Sequence, residues 1–289
     1  MPPSCSLALL LTLTTSLFHP STPLTSLVFH GCADRKFPDH PGAYTRNLRS
    51  LLSALVSQAY DKPFSNATYG EGDHMITGLY QCRGDLNGSR CGDCVRRIPP
   101  LAVRLCGLAI AGRIQLSGCY SRYAVAGFRQ DDDTEVLYEV CGKEKAGVGF
   151  GDRRDTALGM VESGVSGGEG FYTGEYENVY VVGQCEEDIT DGGGDCGSCV
   201  TNAVERAKGA CGDSISGQVY YSKCFISYSY YPNGVPASTS SGTGHHGTQK
   251  TVAVVFGCLA AFGIGIACLM FAVPSFKRRD VKYATRIEY

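Results

Sequence analysis

Between Tyr44 and Tyr60 the positions Leu48, Leu51, Leu52, Leu55, Val56 and Ala59 recur at the three- and four-residue spacing of a single helical face. That period predicts a surface helix packed on a sheet. A second helix is expected to begin near Gly92 and run toward Cys106, with Pro99 and Pro100 kinking or interrupting it. The matching stretch CVTNAVERAKGAC has no proline and should be straighter. Runs rich in β-branched and aromatic residues read as strands at SLVFHGC, HMITGLYQC, RIQLSGC and YAVAGF. They recur further on as EVLYEVC, NVYVVGQC, GQVYYSKC and FISYSYY. The pattern is that of α+β domains, sheets with helices on one face.

Two segments are too apolar for a domain surface. Residues 1–26, with the run LALLLTL from Leu7 to Leu13, read as a secretory signal peptide cleaved near Thr25 or Ser26. Residues 251–276 contain no charged side chain and exceed the roughly 20 apolar residues that cross a bilayer. Lys277, Arg278 and Arg279 follow at once, against only Lys250 upstream, so the positive-inside bias places the C-terminus in the cytoplasm: a type I, single-pass topology. Gly257, Ala261 and Gly265 would form one flat face of the span, open to close approach by another helix. The Gly/Ser/Thr/Pro-rich residues 232–250 form a stalk, and the tail, residues 277–289, is too short for a folded catalytic domain.

With Cys5 in the signal and Cys258 and Cys268 in the span, twelve cysteines remain for export: Cys32, Cys82, Cys91, Cys94, Cys106, Cys119, Cys141, Cys185, Cys196, Cys199, Cys211 and Cys224. The last four of each six are offset by the same 105 residues, and CGDCVRRIPPLAVRLCG repeats as CGSCVTNAVERAKGACG. The exported part is therefore a tandem duplication covering residues 27–129 and 135–231. Four cysteines per copy could ligate zinc, and Cys91-x-x-Cys94 matches a thioredoxin-like centre. An oxidising compartment, six cysteines where four would serve, and no βαβ unit behind the motif favour disulfides.

The C-x8-C-x2-C spacing of Cys82, Cys91 and Cys94 resembles the plant stress-antifungal domain, also called the ginkbilobin-homologous domain or domain of unknown function 26. The second copy departs from it, since Cys185 and Cys196 enclose ten residues, EEDITDGGGD. The resemblance implies an antiparallel sheet backed by two helices in each copy. It also implies the pairings Cys32–Cys106, Cys82–Cys91, Cys94–Cys119, Cys141–Cys211, Cys185–Cys196 and Cys199–Cys224. Relatives in this domain family bind mannose through an Asn, an Arg and a Glu. Those positions are Ala33, Arg113 and Ala124 in the first copy and Gly142, Gln218 and Ser229 in the second. Only the arginine is kept, which argues against that ligand and makes Arg113 a surface or structural arginine.

Two tandem copies, one span and a short tail are similar to the plasmodesmata-located proteins, kinase-less relatives of the cysteine-rich receptor-like kinases. This implies a plasma-membrane protein at plasmodesmata that modulates cell-to-cell trafficking, promoting callose deposition through partners. Those partners would be further copies, related membrane proteins or receptor kinases, with a cell-wall glycan as a further candidate ligand. A carbohydrate-binding or antifungal module and a co-receptor are the alternatives.

Charge adds one feature. Residues 27–129 carry 13 basic and 7 acidic side chains, net +6, and residues 130–231 carry 7 and 19, net −12. Opposite lobes would attract, within one chain or head to tail between neighbours. Asn66 and Asn87 head glycosylation sequons. Arg83-Gly84-Asp85 is an adhesion-type triplet of low specificity, and Glu186 with Glu187 reads as an exposed acidic loop. The histidines are not duplicated between copies, and no phosphate loop, dinucleotide fingerprint or zinc-protease motif occurs. No catalytic residue, cofactor, metal or nucleic-acid partner is therefore expected.

Overall fold

A computed structural model describes residues 23–38, 42–128, 135–168, 170–187 and 196–234. The signal region before residue 23, most of the stalk, the apolar span with Gly257, Ala261 and Gly265, and the tail lie outside the described residues. Among the described residues no helix is long and apolar enough to cross a membrane.

The first lobe runs β1 (Leu27–Cys32), α1 (Ala43–Gln58), β2 (Phe64–Tyr69), β3 (Ile76–Cys82), α2 (Gly88–Val95), α3 (Ile98–Cys106), β4 (Ala111–Leu116) and β5 (Cys119–Val125). The second runs β6 (Val136–Cys141), α4 (Phe150–Ser166), β7 (Phe171–Tyr176), β8 (Val179–Cys185), α5 (Cys196–Cys211), β9 (Ser216–Tyr221) and β10 (Cys224–Tyr230). Each lobe has one five-stranded antiparallel sheet, ordered β1-β4-β5-β3-β2 and β6-β9-β10-β8-β7.

The helices cover one face of each sheet. Tyr44, Leu48, Leu51, Leu52 and Leu55 are the buried stripe of α1. The corresponding residues of α4, each 106 further on, are Phe150, Arg154, Ala157, Leu158 and Val161. Contact is close because each sheet offers a glycine under its helix. A Cβ on Gly78 would lie 2.9 Å from the Leu51 side chain, and one on Gly183 would lie 2.2 Å from Val161.

Two expectations about the helices of the first lobe need correction. The first lobe is backed by three helices, not two. Its second helical stretch begins at Gly88 rather than near Gly92 and stops at Val95, so of the two alternatives the interruption holds, with the prolines opening α3 at its first turn. Proline suits that place because a first-turn N–H has no intrahelical acceptor to lose. Its proline-free counterpart α5 is continuous from Cys196 to Cys211. The edge strands β2 and β7 (FSNATY and FYTGEY) escape the strand pattern because they are polar and poor in β-branched residues, as edges often are. The pattern also misses α4, whose apolar stripe is interrupted by Arg154 and diluted by Gly151, Gly159 and Gly164.

The cysteines staple helices to strands. Cys32 is bonded to Cys106, Cys82 to Cys91 and Cys94 to Cys119 in the first lobe. In the second, Cys141 is bonded to Cys211, Cys185 to Cys196 and Cys199 to Cys224. The two sulfurs of Cys91-x-x-Cys94 therefore leave one helix for two neighbouring strands, β3 and β5.

Candidate functional site

Side chains alternate across a strand, so residues between the core positions point to the face without helices. In the first lobe these include Phe29 on β1, Gln81 on β3, Arg113 and Gln115 on β4, and Tyr120 and Arg122 on β5. In the second they include Tyr138 on β6, Gln184 on β8, Tyr220 on β9 and Phe225 on β10. The two bare faces meet and form a seam.

Equivalent residues pair with one another across it. Gln81 Nε2 donates to the carbonyl of Cys185 at 2.9 Å, and Gln184 Nε2 donates to the carbonyl of Cys82 at 3.0 Å. The rings of Phe29 and Tyr138 stack at 5.2 Å, and Tyr220 meets Phe29 edge-on at 5.5 Å. Such self-pairing is the property of an isologous, two-fold interface, here within one duplicated chain.

Charge breaks the symmetry. The carboxylate of Glu186, fully buried, takes Nη2 of Arg122 at 2.5 Å and Nε at 3.0 Å from across the seam, and Nζ of Lys223 at 2.6 Å from its own lobe. The Tyr120 hydroxyl donates to it as well. Burial alone would raise its pKa, but the hydrogen bonds and charge of Arg122, with Lys223 and Tyr120, outweigh burial and hold it down at about 2. Burial, reinforced by that carboxylate, pushes the Tyr120 hydroxyl well above its ordinary value. The reading of Glu186 as part of an exposed acidic loop is thus wrong, whereas Glu187 beside it is exposed. Strand parity carries the missing signal: Glu186 lies two residues beyond Gln184, in phase with the seam face.

Arg113 is buried, 8% exposed. Its Nη1 donates to the carbonyl of Ser222 at 2.8 Å and its Nη2 to Gln115 Oε1 at 3.2 Å, while the guanidinium lies 4.1 Å from the Tyr120 ring centroid. It is a structural arginine of the seam. Burial lowers its pKa, with Tyr120 and Glu186 acting in the opposite sense.

A cleft of about 320 Å³ opens beside the seam, lined among others by Phe29, Ala33, Asp34, Arg113, Arg122 and Lys223. It brings together two of the three sugar positions expected from the resemblance, Ala33 and Arg113; Ala124 lines an adjoining hollow with Asn66. Two methyl groups stand where hydrogen-bonding side chains would be needed, and the arginine is already engaged. In the second lobe Gln218 accepts from Tyr220, and Gly142 packs against Ser216.

Arg83 and Asp85 bind each other through two hydrogen bonds of 2.6 and 2.9 Å, and Gly84 sits against the Phe171 ring, where a Cβ would fall 2.5 Å from it. Gly84 thereby packs against the second lobe, and the two charges of the triplet are paired with each other. Asn66 is exposed on edge strand β2, and Asn87 is exposed at the N-terminus of α2, where its Oδ1 accepts from the backbone N–H of Arg90 at 3.0 Å.

The salt stress response/antifungal family model matches residues 31–126 and 140–231, one copy on each lobe. Plasmodesmata-located protein 2 of Arabidopsis thaliana is 46% identical over 283 residues, covering 91% of each chain. Crystal structures of the tandem DUF26 ectodomains of two Arabidopsis thaliana cysteine-rich receptor-like proteins superpose on it. PDLP8 gives a TM-score of 0.64 at 27% identity over 71% of this chain and 98% of that one. PDLP5 gives 0.61 at 30% identity over 71% and 100%.

Proposed function

Because the chain belongs to the salt stress response/antifungal family and, within it, to the plasmodesmata-located proteins, we propose that it is a non-enzymatic type I membrane protein at plasmodesmata. It presents both lobes to the cell wall and modulates cell-to-cell trafficking by promoting callose deposition through partners. The observation that carries this reading is the 46% identity to a plasmodesmata-located protein over 91% of the chain, and the seam says how the exported part is built. Two stapled lobes joined face to face form one recognition body, and the interior polar groups of that joint are committed to packing rather than to chemistry. The apolar residues 251–276 and the basic cluster after them supply the anchor and its orientation.

Signalling passes through lateral association in the membrane, for which Gly257, Ala261 and Gly265 are the contact face. The chain carried as a C-terminal fluorescent fusion should give punctate staining at cell junctions and raise callose staining there. Uniform plasma-membrane fluorescence would overturn the assignment.

A further inference from the structure

The duplication provides an internal control for what each surface does. On the first lobe, α1, α2, α3 and the two residues between α2 and α3 carry six arginines, Arg46, Arg49, Arg90, Arg96, Arg97 and Arg104, against one acid, Asp93, net +5. The matching helices α4 and α5 carry four acids and four bases, net 0. Among the described residues Arg49, Arg97 and Arg104 are exposed and have no ion-pair partner, and Arg96 meets the exposed Asp93 and the Tyr60 hydroxyl. Apolar side chains stand among them: Val103 is 64% and Leu108 41% exposed. The residues 105 further on in the second lobe are Lys208 and Asp213, so the repeat does not require them to be apolar. An apolar centre edged by arginines is the composition of a protein interface.

The acidic counterpart is in the same chain but cannot reach this face. Sheet β1–β5 carries its helices on one side and the second lobe on the other, so the arginine layer points away from its own acidic lobe. Within the chain, Arg122 and Glu186 join the lobes through the seam, and Arg49, Arg97 and Arg104 take no part in an ion pair among the described residues.

We propose that the helix layer of the first lobe docks the acidic second lobe of another copy of this chain, head to tail. Residues 130–231 bring a net charge of −12 to residues 27–129 at +6. Arginine suits the task, since its planar fork takes carboxylates two hydrogen bonds at a time. A head-to-tail contact does not use up the same surface on both partners, so it propagates into a row or closes into a ring.

The test uses two differently tagged copies of the full-length chain, co-expressed and captured from detergent. Capture should fall about fivefold or more between 50 and 500 mM salt, and likewise when one copy carries R49E, R97E and R104E and the other is deprived of its own arginines by R49Q, R97Q and R104Q. Pairing the arginine-reversed copy with one that keeps R49Q, R97Q and R104Q and also carries E144K, D152K, E162K and D213K on its second lobe should restore capture. That recovery also shows that the reversed copy is folded. Capture indifferent to salt and to arginine reversal would mean that the membrane helix alone pairs the chains, which overturns this proposal and leaves the proposed function standing. Loss without recovery in the exchanged pair overturns it too, since the face would then serve some other anion.

Discussion

Gln81 and Gln184 exchange amides across the seam, each donating to the carbonyl of the cysteine that follows the other, at 2.9 and 3.0 Å. Both are buried. Replacing either by leucine leaves a buried carbonyl without its donor, at a cost of about 1–3 kcal/mol. Thermal unfolding of the full-length chain should therefore show a lower midpoint for Gln81→Leu and for Gln184→Leu. A midpoint unmoved in both variants would mean that the lobes do not depend on this exchange.

Glu186 should matter far more than its neighbour. Glu186→Gln deprives Arg122 and Lys223 of their shared carboxylate, and breaking a buried pair in this way costs about 3–5 kcal/mol. Glu187→Gln, at an exposed position, should stay within about 0.5 kcal/mol. Denaturant midpoints compare the two, and equal effects would contradict the seam as described.

The same carboxylate sets a pH window. Its folded pKa, about 2, lies below the ordinary 4.5, so its contribution is fully present above about 4.5 and is lost as pH falls toward 2. The stability difference between the parent chain and Glu186→Gln should be flat from pH 7 to pH 5 and then shrink. A difference already gone at pH 5 would refute the assignment.

Asn87 has two separable roles. Asn87→Asp and Asn87→Ala both abolish the sequon, and each should remove one glycan on a mass shift if the site is occupied. Only the alanine loses the side-chain acceptor for Arg90 N–H, worth about 1 kcal/mol at a helix N-terminus. Equal stability of the two variants would show that the cap contributes nothing.

Replacing Gly257, Ala261 and Gly265 together with leucine should weaken lateral association, because bulk on that face keeps helices apart. Energy transfer between two fluorescent full-length copies in one membrane reports it. An unchanged signal would discard this contact face.

How far the seam could be read in advance differs residue by residue. Arg113 could be singled out by the family resemblance, and its burial decides for structural over surface, yet nothing local pointed to Ser222 as its acceptor 109 residues away. Glu186 looked exposed because it heads an acidic, glycine-rich stretch. The approach of Arg122 and Tyr120 from the other lobe, together with Lys223, makes its burial tolerable. The helix breaks show the same limit. Pro99 and Pro100 announce an interruption, but whether they kink a helix or start one depends on where the chain turns to reach Cys106.

Periodicity, cysteine spacing and the 105-residue offset by themselves determined two copies of one sheet-and-helix domain, because those signals are local or repeat exactly. The tertiary structure alone decided that the bare sheet faces close on each other, which glutamate is interior and which arginines remain outside. Such choices are made by pairs of residues far apart in sequence, and an isolated stretch carries no record of what will desolvate it or supply its counter-charge.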